Sequence, residues 1–119
     1  MIPQCKKKKK RYKDITAECT FVNCTHDYGT IFVDEEAKIV YFNLMITTKV
    51  TNGWIKILEL PEKYAPIDLT GTDGGGCTIT ASEFWASVSS NKTIVSGAIT
   101  AGKQIALQGY YMLKDFMNA

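Results

Sequence analysis

A chain of 119 residues with 45% hydrophobic residues is long enough to form one domain around a single core, and it is too apolar to be disordered throughout. No apolar run reaches the roughly 18 residues that a membrane-spanning helix needs, so no membrane span is predicted. The small net charge of +2 hides an uneven distribution of charge along the chain.

The basic residues are concentrated at the N-terminus, whereas residues 14–119 carry all 12 acidic residues and a net charge of −5. We expect a flexible basic leader at residues 1–13, because like charges repel each other, and one domain at residues 14–119. This leader is either a solvated tail or an anchor for an acidic partner. Nucleic acid is not the expected partner, because the acidic domain lacks interleaved basic and aromatic residues. The basic residues of the leader are Lys6, Lys7, Lys8, Lys9, Lys10, Arg11 and Lys13.

The four cysteines match no metal or disulfide motif. Cys19 and Cys24 are five residues apart, which in a strand places them on opposite faces and about 17 Å from each other. One tetrahedral zinc ion could not bind both without a sharp turn between them. Cys24 and His26 would share a face, and the uneven cysteine spacing is not typical of a disulfide framework. The sequence therefore predicts reduced cysteines, no metal site and no cofactor.

From residue 14 onwards the pattern predicts strands and no amphipathic helix of ten or more residues. Residues 14–22 alternate weakly, Tyr28-Gly29 offers a turn, Thr30–Val33 is a short strand and Asp34–Glu36 is a charged hairpin tip. The longest predicted strand covers Lys38–Val50, and its second face is half apolar. The other face is the predicted core stripe, formed by Val40, Phe42, Leu44 and Ile46.

Turn and proline signals divide the rest of the chain. Asn52-Gly53 favours a tight hairpin, so residues 38–60 are predicted to form one long antiparallel hairpin. Pro61 ends its second strand because proline has no backbone N–H for the sheet, and Pro66 holds the preceding residue extended. The glycine-rich residues 71–76 form a predicted surface loop.

Four further strands complete an all-β, antiparallel fold of about eight strands, which favours a β-sandwich or jelly roll. They are predicted at Cys77–Thr80, Phe84–Val88, Thr93–Ile99 and Gln104–Leu113. The core of a single sandwich uses one face of each sheet, but some apolar side chains lie on the opposite faces. Contiguous apolar residues that stay exposed usually mark interfaces. The predicted subunit interface consists of Tyr41, Met45, Trp54, Tyr110 and Met112.

The order of these features resembles the C-terminal receptor-binding or fibre-tip domains of tailed-phage tail-fibre and baseplate proteins. The resemblance covers about residues 30–114 and includes the corner formed by Leu60-Pro61, Tyr64 and Pro66. It implies a homotrimer in the virion, assembled in the host cytoplasm, that recognises host cell-surface polysaccharide. Family members usually carry a long shaft before this domain, whereas here a short basic leader precedes it. A structural virion component (head fibre, capsid decoration or tail-tip protein) that binds other virion proteins through the leader is the alternative. A general carbohydrate-binding or immunoglobulin-like module is a third interpretation.

An enzyme is not predicted, because His26 is the only histidine and has no evident third group to complete a triad. Binding of a saccharide requires an exposed ring, on which the C–H face of the sugar stacks, with amides or carboxylates for its hydroxyls. Trp85 is the leading ring, and its alternative role is a core residue. The candidate saccharide-binding residues are Trp85, Asp73, Glu83, Tyr64 and Asn91.

Overall fold

The computed structural model describes residues 11–51, 55–67, 77–82, 85–88, 93–97 and 99–116. These residues form antiparallel β-structure with two single-turn 3-10 helices, at Thr16–Glu18 and Glu62–Tyr64, and the prediction of an all-β fold is confirmed. In the part of the chain that is described, no helix is long and apolar enough to cross a membrane. The strands are β1 (Tyr12–Asp14), β2 (Thr20–Phe21), β3 (Cys24–Asp34), β4 (Ile39–Thr48), β5 (Ile55–Glu59), β6 (Cys77–Ala81), β7 (Trp85–Val88), β8 (Thr93–Gly97) and β9 (Gln104–Met112).

The strands form two sheets. The five-stranded sheet has the order β1-β3-β4-β9-β6, and the four-stranded sheet has the order β2-β5-β8-β7. In each sheet a late strand lies between two earlier ones: β9 between β4 and β6, and β8 between β5 and β7. The C-terminal part of the chain therefore completes both sheets, and every central strand has at least one partner that is distant in sequence.

One hydrophobic core takes side chains from both sheets. Leu44 and Tyr111 come from the five-stranded sheet, and Leu58 and Ile94 come from the four-stranded one. The predicted core stripe of β4 is confirmed, since all four of its side chains are buried. Because successive residues of a strand face opposite sides, the intervening residues of β4 lie on the outer face of the five-stranded sheet.

The predicted hairpin over residues 38–60 is wrong. β4 pairs with β3 and β9, whereas β5 lies in the other sheet between β2 and β8. The turn between β3 and β4 is held by Asp34, whose Oδ1 accepts hydrogen bonds from the amides of Glu36 and Ala37, and Lys38 adopts φ of 62°. The predicted hairpin tip is therefore confirmed, and the turn places β4 beside β3. Residues 52–54 lie outside the described residues.

β3 is much longer than the predicted strand at Thr30–Val33. Asp27 is an extra residue in it, because the register shifts between His26 and Tyr28. Gly29 is not a turn residue: it lies inside the strand with φ of 106°, and a Cβ atom there would collide with the carbonyl oxygen of Asn43. Because glycine has no Cβ atom, it allows β3 to approach β4 closely after the β-bulge at Asp27.

The last two residues of the predicted basic leader, Tyr12 and Lys13, belong to the sheet, because β1 pairs with β3 in the register Tyr12 to Asp34. Arg11 also contacts the sheet, since its Nε lies 2.9 Å from Oδ1 of Asp34. Residues 1–10, including the lysines at 6–10, lie outside the described residues.

The proline corner follows β5 as expected. β5 ends at Glu59, just before Pro61. The second 3-10 turn then leads to Pro66, which forms an isolated β-bridge with Leu113. The hydroxyl of Tyr111 donates a buried hydrogen bond of 2.7 Å to the carbonyl oxygen of Tyr64. The corner is therefore fastened to the end of β9.

Candidate functional site

Aromatic side chains cross the outer face of the five-stranded sheet from strand to strand. In this sheet Phe32 is paired with Tyr41 and Tyr41 with Tyr110, while Tyr12 lies on the neighbouring edge strand. The ring centroids are 5.9 Å apart from Tyr12 to Phe32, 5.2 Å from Phe32 to Tyr41 and 6.0 Å from Tyr41 to Tyr110. We call Tyr12, Phe32, Tyr41 and Tyr110 the aromatic row.

The aromatic row faces solvent because its strand neighbours fill the core. Val33 and Val40 point inward, which directs Phe32 and Tyr41 outward. Tyr12 is 54% exposed and Tyr110 is 42% exposed, whereas the two rings between them are half-buried. Cross-strand aromatic pairs of this kind stabilise a sheet, and their exposed surface remains available for contact with another molecule.

One end of the aromatic row opens into a cleft of about 570 Å³. Besides three rings of the row, its lining includes Asp14 and Thr30, so a carboxylate and a hydroxyl stand beside aromatic carbon. The volume lies within the roughly 300–1,000 Å³ typical of small-ligand sites. The cleft lies open on the sheet, which suits a ligand that approaches from the side. We call it the Tyr12 cleft.

Asp14 is fixed by the turn that follows β1. Its Oδ1 accepts hydrogen bonds from the amide of Thr16 at 2.9 Å and from its hydroxyl at 2.6 Å. The same hydroxyl oxygen accepts a hydrogen bond from the Ile31 amide at 2.8 Å, which ties this turn to β3. The two bonds from Thr16 hold the pKa of Asp14 below its usual value. At neutral pH the carboxylate is therefore ionised, and no described residue bonds to its Oδ2 atom.

Tyr12 is held between a ring and a cation. It meets Phe32 edge-on, at an interplanar angle of 81°, and the guanidinium carbon of Arg11 lies 5.3 Å from the centre of its ring. The same guanidinium forms the ion pair with Asp34. The most exposed ring of the Tyr12 cleft is therefore positioned before any ligand arrives, which lowers the entropy lost on binding.

A second tyrosine and carboxylate lie farther along the same face. Tyr28 is 59% exposed, and Asp27 occupies the β-bulge beside it. Oδ2 of Asp27 accepts hydrogen bonds from Oγ1 of Thr47 at 2.5 Å and from Nε2 of Gln104 at 3.0 Å, and these bonds lower its pKa. A smaller cavity of about 200 Å³ adjoins Tyr28 and is lined by Tyr28, Gly29, Asn43, Leu44, Met45 and Ala106.

Two cysteine thiols and the histidine lie outside the two cavities: Cys24 is buried, and Cys19 and His26 are partly buried. Burial raises the pKa of Cys19 to about 12 and that of Cys24 to about 11, so both thiols stay protonated at neutral pH. His26 stacks on Phe21 with ring centroids 4.6 Å apart, and its Nε2 lies 3.0 Å from the Gly29 carbonyl oxygen. Among the described residues no group of three or more His, Cys, Asp or Glu side chains is arranged to hold a metal ion.

Among the predicted saccharide-binding residues, Tyr64 is the one whose side chain lies within the described structure. Tyr64 is only 5% exposed, so its ring belongs to the core and offers no open stacking surface. The side chain of Trp85 lies outside what is described, as do residues 73, 83 and 91. Of the predicted interface residues, Trp54 also lies outside, and the other four share the outer face: Tyr41, Met45, Tyr110 and Met112.

Sequence reasoning missed four residues of the Tyr12 cleft: Tyr12, Asp14, Thr30 and Phe32. The position of Phe32 could have been predicted from the hairpin tip at residues 34–36, since a short turn there places Phe32 opposite Tyr41. Tyr12 carried no such signal, because the adjacent basic run favoured a disordered leader.

No protein-family model, no curated protein and no solved structure matches this chain. The outer face of the five-stranded sheet is therefore the feature from which its function is inferred.

Proposed function

We propose that the chain is a non-enzymatic virion protein of a tailed phage, the saccharide-recognition module of a tail fibre or baseplate that binds the host surface. The observation that carries its saccharide-binding part is the Tyr12 cleft, where the exposed ring of Tyr12 and the half-buried rings of Phe32 and Tyr41 stand beside an ionised carboxylate and a hydroxyl. These groups are the kinds that bind sugars without catalysing a reaction.

Each group in the cleft has a role in saccharide binding. The apolar C–H face of a pyranose ring packs against the accessible aromatic surface of Tyr12 and Phe32. Oδ2 of Asp14 accepts hydrogen bonds from sugar hydroxyls, and the Thr30 hydroxyl donates or accepts one. Hydrogen bonds to an ionised group are stronger than neutral ones, so Asp14 supplies orientation as well as affinity.

We also propose that the two sheets pack as a jelly-roll-like β-sandwich that assembles into a homotrimer. The shared core and the insertion of β8 and β9 between earlier strands support the sandwich. The β9 side of the outer face supports self-association, since Tyr110 and Met112 extend the apolar surface beyond the Tyr12 cleft. In this arrangement Tyr110 and Met112 contact a neighbouring subunit, and the Tyr12 cleft lies open beside the interface.

The proposal is tested with the intact chain on an array of cell-wall and capsular polysaccharides. We expect binding to at least one of them, and we expect Tyr12→Ala and Asp14→Asn each to weaken it about tenfold. Tyr12→Phe is the matched control, because it keeps the ring and loses only the hydroxyl. Binding to no polysaccharide, or equal binding by all variants, would contradict the proposal.

A structural virion component is the second candidate, and the length of the aromatic row favours it. The row continues past the cleft to Tyr110, which is more apolar surface than a small saccharide needs and is typical of a protein interface. In this case other virion proteins bind the outer face or the basic residues at 6–10. Particle incorporation that is lost on Tyr110→Ala, with no polysaccharide bound by the intact chain, would favour this candidate.

A further inference from the structure

We infer that the outer face binds an extended saccharide chain of several sugar units, along the strand direction, and not a single terminal sugar. This inference rests on the proposed function and specifies the class of its ligand. The two cavities are neighbours, because Thr30 lines the Tyr12 cleft and its cross-strand partner Asn43 lines the cavity at Tyr28. We call the continuous surface from Tyr12 to Tyr28 the long groove.

The groove has aromatic rings at both ends and polar groups between them. Positions 28, 30 and 32 of β3 lie on the outer face. From Phe32 to Tyr28 the strand advances about 13 Å, at about 3.3 Å per residue. A single sugar ring cannot contact both ends at once, whereas a chain of a few units can.

The middle of the groove offers neutral hydrogen-bonding groups. Thr30, Asn43 and Gln108 occupy one row across three neighbouring strands, and all three side chains are exposed. Amides and hydroxyls both donate and accept, which suits the hydroxyls of successive sugars. A saccharide that enters the Tyr12 cleft therefore meets further partners when it extends toward Tyr28.

The β-bulge builds the far end of the groove. The extra residue, Asp27, is held by Thr47 on β4 and Gln104 on β9, although it belongs to β3. β-bulges commonly redirect side chains next to functional sites. The result is that Tyr28 and Asp27 repeat, at the far end, the combination of tyrosine and ionised carboxylate that Tyr12 and Asp14 form at the near end.

The charges of the groove select the kind of saccharide. None of the described residues that line the two cavities is basic. The ionised Asp14 lines the Tyr12 cleft, and the ionised Asp27 lies beside Tyr28 in the β-bulge. Like charges disfavour a partner. The groove therefore takes a neutral or amino-sugar polymer in preference to one that carries carboxylates or phosphates.

Size ladders of oligosaccharides test this inference. The probes are oligomers of one to eight units, prepared by partial acid hydrolysis of the array polysaccharides, and their affinity for the intact chain is measured by isothermal titration calorimetry. We expect affinity to rise about tenfold or more from disaccharide to longer oligomers and then to level off. We expect Tyr28→Ala to remove that rise, so that longer oligomers bind no more tightly than the disaccharide, and Tyr28→Phe to preserve it.

The outcomes separate this inference from the function on which it rests. Equal affinity for short and long oligomers, with an effect of Tyr12→Ala and none of Tyr28→Ala, would overturn the long groove and leave saccharide recognition standing. Tightest binding to an acidic polysaccharide would overturn the selection by charge. Binding of no saccharide of any length would overturn both proposals.

Discussion

The side chain of Arg11 donates a hydrogen bond of 2.9 Å from Nε to Oδ1 of Asp34, at the end of β3. The Asp34 side chain is only 3% exposed, and the same oxygen accepts the amides of Glu36 and Ala37. One carboxylate thus joins the edge strand β1 to the turn between β3 and β4. This contact holds β1 and β3, the two strands that flank the Tyr12 cleft, next to each other.

The Asp34 carboxylate makes the stability of the chain depend on pH. Its hydrogen bond with Arg11 is the main cause that lowers its pKa below the usual 3.8. A group whose pKa is lower in the folded state stabilises that state above the unfolded pKa, and the contribution is lost as pH falls through the folded pKa. We expect the wild-type chain to melt several degrees above Asp34→Asn at pH 7, and the difference to shrink below pH 3.8.

Thermal unfolding followed by circular dichroism from pH 7 down to pH 2 measures this difference. Glu36→Gln is the control. It removes a carboxylate from the same turn, but the Glu36 side chain is exposed. A melting difference between wild type and Asp34→Asn that stays constant over the whole pH range would contradict the role given to Asp34.

Tyr111 and Tyr110 are adjacent in β9 and have opposite surroundings. The Tyr111 hydroxyl is buried and bonded to the Tyr64 carbonyl oxygen, and burial raises its pKa, whereas Tyr110 faces solvent. Tyr111→Phe should lower the free energy of unfolding by about 1–2 kcal/mol, because a buried acceptor loses its donor. Tyr110→Phe should change it by less than about 0.5 kcal/mol. Urea denaturation of the two variants checks this, and equal losses would contradict it.

Gly29 and Gly102 both have positive φ, of 106° and 84°, but differ in the space around them. A Cβ at Gly29 collides with the backbone of Asn43, whereas at Gly102 nothing lies within 4 Å. Gly102→Ala should cost about 1 kcal/mol from left-handed backbone strain alone. Gly29→Ala should cost about 3 kcal/mol or more, because overpacking adds to the strain. Urea denaturation of both variants measures the difference, and a Gly29→Ala variant no less stable than Gly102→Ala would contradict the close approach of β3 to β4.

The proposed trimer predicts a specific solution mass. Size-exclusion chromatography with light scattering, under reducing conditions, should give three times the 13.2 kDa of the chain. Met112→Glu should shift the mass toward the monomer, because it places a charge in an apolar interface. Tyr28→Glu is the control, since it adds the same charge to the same face but lies level with Ala106, at the other end of β9 from Met112. A monomeric wild-type chain would contradict the trimer and leave the Tyr12 cleft unaffected.

The sequence was sufficient to predict features that depend on near neighbours. The alternation in β4 identified its core face, Pro61 identified the end of β5, and the acidic residues at 34–36 identified a hairpin tip. Each of these signals acts through the backbone over a few residues. Alternation in β4 and in β9 likewise identified side chains that the core does not use: Tyr41, Met45, Tyr110 and Met112.

Strand partners could not be predicted because they depend on distant residues. A period of two gives the face of a strand but not its neighbour, so Asn52-Gly53 favoured pairing β4 with β5 although β9 is the actual second partner. Tyr12 was missed for the same reason: its strand is ordered by Asp34, 22 residues away, against the local effect of the basic run. The Tyr12 cleft therefore becomes visible only once β1 is placed beside β3.

The most direct test of saccharide recognition is a titration of the ¹⁵N-labelled chain with an oligosaccharide of the best-bound array polysaccharide, followed by NMR. We predict that the largest amide shift changes fall at Tyr12, Asp14, Thr30 and Phe32, and that Asp14→Asn reduces them. Shift changes confined to the four-stranded sheet, or no changes at saturating oligosaccharide, would contradict it.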